Sequence, residues 1–110
     1  LEKLKSLNEC SQCDLVSVVL TKESFKNAIL NNANLKKANL TDTKLHRANL
    51  KEANLSGAVL SKANLTNANL QEANLTEAKF RSAQLYNANL SKANLKMQIF
   101  WELNLLVQIL

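Results

Sequence analysis

The chain has 110 residues, the length of one domain, with 46% hydrophobic and only 5% aromatic residues, so a core exists and it is built mainly from Ala and Leu. Its one Gly and absence of Pro leave almost no ordinary loop punctuation, and its short apolar runs exclude a membrane-spanning helix. The formal net charge of +5 argues against mimicry of nucleic acid and favours an anionic partner.

The first segment, LEKLKSLNEC, places Leu1, Leu4 and Leu7 at helical spacing among Lys and Glu. It predicts a short amphipathic helix, with a loop to residue 12, capping whatever follows. Cys10 and Cys13 then form CSQC. Two thiols with no second pair cannot complete a tetrahedral zinc site, and a thioredoxin-like role needs a βαβ context that is absent.

From Leu15 to Leu95 every fifth residue is Leu, except Phe25 and Phe80. Two residues earlier stands Ala in thirteen of the seventeen positions, the exceptions being Cys13, Val18, Glu23 and Thr43. The position between is Asn in nine, and the two after the Leu are mostly polar and varied. Five residues turn about 500° on an α-helix, so the Leu would form no stripe. On an unbroken strand they would alternate between faces. A three-residue extended side followed by a two-residue corner resolves the conflict, because Ala and Leu then face inward on every side and Asn faces out. Such a coil needs neighbours stacked at about 4.8 Å to satisfy its main-chain groups. In this frame Cys13 reads as a small core residue. Glu23 is costly in an inward column, and Thr43, twenty residues on, is its expected stacking partner.

Tandem A-N-L-x-x over residues 13–95 resembles the pentapeptide-repeat family. The resemblance implies an all-β solenoid, a right-handed quadrilateral β-helix of about four coils, with four repeats per coil and short helical caps at both ends. The divisions are then a capping helix and loop at 1–12, the β-helix at 13–95 and a C-terminal cap at 96–110. C-x-x-C-D-L before the first repeat is similar to the start of exported members of the family. That implies a disulfide between Cys10 and Cys13 and a soluble protein of the periplasm, a lumen or the exterior rather than the cytoplasm.

Four repeats per coil stack residues twenty apart. Asn34, Asn54, Asn74 and Asn94 then share one side and Asn49, Asn69 and Asn89 another, as ladders suited to hydrogen bonding along the stack. The other two sides break the ladder, reading Val19, Asn39, Val59, Lys79 and Ser24, Lys44, Asn64, Gln84. They and their corners also collect cations, with Asp42 the one opposing acid outside. Lys22, Lys44, His46, Arg47, Lys62, Lys79, Arg81 and Tyr86 are therefore the candidate contact face.

The last segment, KMQIFWELNLLVQIL, leaves the repeat. Helix spacing of its apolar residues favours a capping helix over one more degenerate repeat, with Phe100, Trp101, Leu103 and Leu106 as its contact residues, either as a plain cap on the stack or as the contact of a homodimer. No nucleophile–base constellation, metal-ligand cluster or phosphate loop appears, so an enzyme and a cofactor are not expected. The expected function is a scaffold for an unknown protein partner. The alternative is an anionic partner, nucleic acid or lipid, on the basic face. Gyrase protection by DNA mimicry, known for some members of the family, fits a basic chain poorly.

Overall fold

The main-chain hydrogen bonds repeat every twenty residues. In the computed structural model, which describes residues 1–96, Asp14 pairs in parallel with Asn34, Asn34 with Asn54 and Asn54 with Asn74. The same step links Val19, Asn39, Val59 and Lys79, then Ser24, Lys44, Asn64 and Gln84, then Glu9, Ile29, Asn49, Asn69 and Asn89. These four series define a coil of four sides, called first to fourth in that order. The ladder begins at Glu9, one pentapeptide before Cys13, with Cys10 in the Leu place.

One repeat shows how every donor is used. Ala48 donates its N–H to Leu45 O across the corner (3.0 Å), Asn49 to Ala28 O in the preceding coil (2.9 Å), and Leu50 to Asn69 O in the following coil (2.7 Å). Glu52 donates to Gln71 O (2.8 Å). The fifth N–H, of Lys51, reaches the side-chain Oδ1 of Asn49 at 3.1 Å. No donor of the repeat is left to water, which lets a chain with so little regular strand bury its interior.

That interior is the two inward columns. From Ala28 to Leu75 each inward Ala and Leu is at most 2% exposed, and Thr43 is buried in the Ala column. Full burial of a Leu stabilises by roughly 1.5–3 kcal/mol, and because each coil touches only its neighbours, stability accumulates coil by coil.

The corners carry a pattern not read from the sequence. The second corner residue has φ between 58° and 67° at every corner from Gln12 to Lys92. It is the third residue of a turn of the class with positive φ there, closed by the bond back to the Leu carbonyl. None of these residues is β-branched, whereas the first corner residue is Val16, Thr21, Thr41, Thr66 or Thr76 in five places. Positive φ forces the branched side chain against the main chain, so one of two seemingly equivalent columns excludes it.

α1 spans Glu2–Leu7 and ends on Asn8, whose left-handed conformation (φ 56°) closes the helix through its N–H to Leu4 O. Asn8 Nδ2 donates to Lys26 O at 2.7 Å, tying the helix end to the first coil. Of the three Leu expected to form the apolar stripe, only Leu4 is buried; Leu1 and Leu7 are exposed. Residues three apart lie about 300° around the axis, so Leu1 and Leu7 stand about 120° apart on either side of Leu4, and a single-turn contact reaches only the middle one.

Glu23 and Thr43 do not pair. Lys5 Nζ of α1 lies 3.6 Å from Glu23 Oε1, and the Thr43 hydroxyl donates to Leu40 O of its own corner. At the end coil a half-exposed carboxylate can turn toward the cap, while a buried hydroxyl takes the nearest carbonyl. The expected C-terminal cap, with Phe100, Trp101, Leu103 and Leu106, lies outside the described residues.

Candidate interaction surface

The Asn column decides how each side meets its corner. Asn34, Asn39, Asn49, Asn54, Asn64, Asn69, Asn74, Asn89 and Asn94 each accept, at Oδ1, the N–H of the residue two further on, at 3.0–3.2 Å. Asp14 does the same for Val16. The expected ladder of bonds along the stack is thus corrected: the carboxamide oxygen caps its own corner, as a short polar side chain does in an Asx turn. Where Val19, Ile29, Lys44, Val59 or Lys79 stands instead, the corner loses this acceptor and the side gains a new outward group.

Most of these replacements fall on the second and third sides, which meet at the corners Thr21–Lys22, Thr41–Asp42, Ser61–Lys62 and Arg81–Ser82. Lys22, Lys44, Arg47, Lys62, Lys79, Arg81 and Tyr86 are all exposed there. The ion pairs of the described residues join Lys3 to Glu9 and Lys5 to Glu23 at the α1 end, and none involves Lys22, Lys44, Arg47, Lys62 or Lys79. Asp42 stands between Lys22 and Lys62 in the corner column, and no ion pair joins it to either. Among the described residues, Lys22, Lys44, Arg47, Lys62 and Lys79 of the strip therefore stand exposed outside any ion pair.

Within the strip the structure gathers Lys26, Lys44, His46 and Arg47 at the corner of the third and fourth sides. His46 is half-buried, and its Nδ1 is buried with no hydrogen-bond partner. Burial, then the cations Lys26, Arg47 and Lys44, hold its pKa below the ordinary 6.5, so the imidazole is neutral at neutral pH. Tyr86 shares the corner column but stands two coils from His46, with Thr66 between them, so the two rings do not form one site. Sequence reasoning missed the exposed Ile29 on the fourth side, although its place outside the Ala and Leu columns was visible.

Cys10 and Cys13 are joined by a disulfide, with Cα atoms 5.3 Å apart. Cys10 is fully buried in the Leu column and Cys13 half-buried in the Ala column. The corner already brings these positions together, Cys13 N–H donating to Cys10 O, which is the geometry a disulfide needs. The bond closes the corner of the fourth and first sides, diagonally opposite the corner shared by the basic sides. Among the described residues no group of His, Cys, Asp and Glu is arranged to hold a metal ion, and no helix is long and apolar enough to cross a membrane.

Comparison with solved structures finds HetL, a pentapeptide repeat protein involved in heterocyst differentiation regulation in the cyanobacterium Nostoc sp. strain PCC 7120. It superposes with a TM-score of 0.81 at 30% identity over 86% of this chain, which spans only 40% of HetL's length. A second Nostoc pentapeptide repeat protein, alr5209, gives a TM-score of 0.62 at 28% identity over 84% of this chain and 73% of its own. QnrB1, a plasmid-mediated fluoroquinolone resistance protein, shares the fold with a TM-score of 0.52 at 17% identity, over 77% of this chain and 54% of its own. Comparison with curated proteins gives no significant match. The pentapeptide repeats profile matches eight copies, over residues 9–47, 24–57 and 58–96. With the twenty-residue register and the Ala and Leu interior, this match shows that the chain belongs to the pentapeptide-repeat family.

Proposed function

We propose that this protein is a non-enzymatic scaffold that holds a protein partner against its second and third sides. The observation that carries the reading is the coincidence of two departures on those sides: the Asn column is broken there, and Lys22, Lys44, Lys62 and Lys79 stand exposed with no ion-pair partner among the described residues. A column that only held the rod together would gain from Asn throughout, since Asn caps the corner. Replacing it by Lys gives up that bond for an outward charge. The interior supports the reading from the other direction, because inward Leu and Ala fill it and leave the outer sides to carry recognition. The solenoid winds to the right in this reading, as the family resemblance implies. The reading also carries an oxidising compartment, periplasmic, lumenal or extracellular, supported by the Cys10–Cys13 disulfide.

The test compares two variants of equal charge change by quantitative affinity capture from the source organism. Lys44→Glu with Lys62→Glu and Lys79→Glu loses the specific partner. Lys36→Glu with Lys51→Glu and Lys92→Glu, at corners flanking the Asn-rich sides, keeps it. Equal retention by both variants overturns the reading.

A second reading, an anionic polymer or membrane on the same strip, is favoured by its single outward acid, Asp42. Duplex DNA and phosphatidylserine vesicles are the probes. Binding that falls steeply with salt supports it, and no binding at low salt removes it. DNA mimicry is opposed by the net charge of +5; a gyrase supercoiling assay without protection discards it.

A further inference from the structure

The end of the stack that carries α1 differs from the rest of the rod in three ways. Six large hydrophobic residues are exposed among the described residues, and five of them, Leu1, Leu7, Val16, Val19 and Ile29, fall in the first 29. The same stretch is electrically balanced: Lys3, Lys5, Lys22 and Lys26 face Glu2, Glu9, Asp14 and Glu23, so the whole formal net charge of +5 lies beyond it. Two of those carboxylates are engaged locally, Glu9 by Lys3 and Glu23 by Lys5.

The third difference lies in the main chain. One coil deeper, the N–H of Asn34 donates to Cys13 O and its C=O accepts from Leu15, so both groups of this mid-side residue point toward the α1 end. Asn39 and Lys44 do likewise with Val18 and Leu20, and with Glu23 and Phe25. In the first coil the corresponding groups belong to Asp14, Val19 and Ser24, and no partner for them exists among the described residues. Three sides of the coil thus end in an open sheet edge beside exposed Val16 and Val19, an arrangement that invites pairing.

We propose that this end is a self-association surface whose occupant is the same end of a second copy. Electrostatics favour it over the second and third sides, where a second copy meets a cationic strip, while this end carries no net side-chain charge. Symmetry also selects it. A two-fold axis across the end sets α1, Val16 and Val19 of one copy against the same elements of the other, a self-complementary contact. A straight strand from another protein can follow only one three-residue side before the corner turns away. Transverse extents of 22 × 20 Å limit the contact to roughly 400 Å² per copy, the small, weak class of interface.

Sedimentation equilibrium over a concentration series tests this. A monomer–dimer equilibrium in the micromolar to millimolar range is expected, persisting at high salt. Val16→Lys with Val19→Lys weakens it by about tenfold or more through like-charge apposition. Val59→Lys, two coils deeper in the Val19 column, leaves it unchanged. Leu7→Lys on α1 gives an independent second lesion, and circular dichroism melts confirm that each variant is folded. A protein that stays monomeric throughout overturns the proposal. So does a dimer indifferent to these lysines but lost on Trp101→Lys, which assigns self-association to the C-terminal segment of the sequence.

Discussion

The Oδ1 of Asn54 accepts the main-chain N–H of Ser56 at 3.0 Å, and that bond explains why the middle of each repeat is so often Asn. It supplies the one donor of the pentapeptide that no carbonyl of this coil or its neighbours reaches. Removing the carboxamide strands a half-buried N–H, so Asn54→Ala is expected to lower stability by about 1 kcal/mol. Asn54→Asp keeps the acceptor and is expected to cost less. The converse substitution, Val59→Asn, offers Ser61 the same cap and is expected to stabilise by up to about 1 kcal/mol. Urea melts of the three variants check the set.

Corner chemistry gives a second prediction. Glu52 sits at φ 58°, so Glu52→Val places a branched side chain in the left-handed region and is expected to cost about 1–2 kcal/mol. Glu52→Gly and Glu52→Asn are expected to be neutral or mildly stabilising. The adjacent Lys51 has no such restriction, so Lys51→Val is tolerated. Thermal melts showing equal costs for Val at positions 51 and 52 would refute the distinction.

Inside, Leu60 is fully buried among neighbours from the coils on either side. Leu60→Ala is expected to destabilise by about 2–5 kcal/mol, because stacked coils cannot collapse inward without breaking register. Ala58 is equally buried, and Ala58→Leu overpacks the same layer at about 1–3 kcal/mol. Hydrogen exchange is expected to show the loss concentrated in the coils next to residue 60, as nearest-neighbour stacking requires.

His46 links stability to pH. Its pKa is lowered in the folded protein by burial and by Lys26, Arg47 and Lys44, against 6.5 when unperturbed. Below that value the unfolded chain binds the proton more readily, so the stability contribution is fully present above about pH 6.5 and is lost as the pH falls through and below it. His46→Gln is expected to be the less pH-sensitive protein between pH 7.5 and 5. Parallel pH dependences in denaturant melts would contradict the assignment.

Much of this architecture was legible because period five fits neither a helix nor a strand. Leu50 and Ala48 had to share a face, and a coil of sides and corners follows from that requirement. The local chemistry was less legible. Asn49 looked like a rung of a ladder, because a column of identical residues suggests contact along the stack. Its oxygen instead turns back to Lys51, a bond that depends on where the corner N–H points. The two corner columns looked equally polar and varied, yet only one takes positive φ, and the missing Val and Thr at Glu52 and its equivalents were the sign of it. Glu23 is legible as a departure in the Ala column, but its partner Lys5 comes from α1, whose seating on the coil no repeat pattern encodes. The basic strip was legible as a set of columns. The crowding of Lys26, Lys44 and Arg47 around His46 needed the coordinates.

The measurement that bears most directly on function is site-specific photo-cross-linking in extract of the source organism. A benzophenone side chain is introduced at Lys44 or Lys79 on the basic sides, and at Asn54 or Asn74 on the Asn-rich first side. A discrete protein adduct from positions 44 and 79, and none from 54 and 74, is the predicted result. Adducts from 54 and 74 alone, or from all four positions equally, would contradict the claim that recognition lies where the repeat departs from its own pattern.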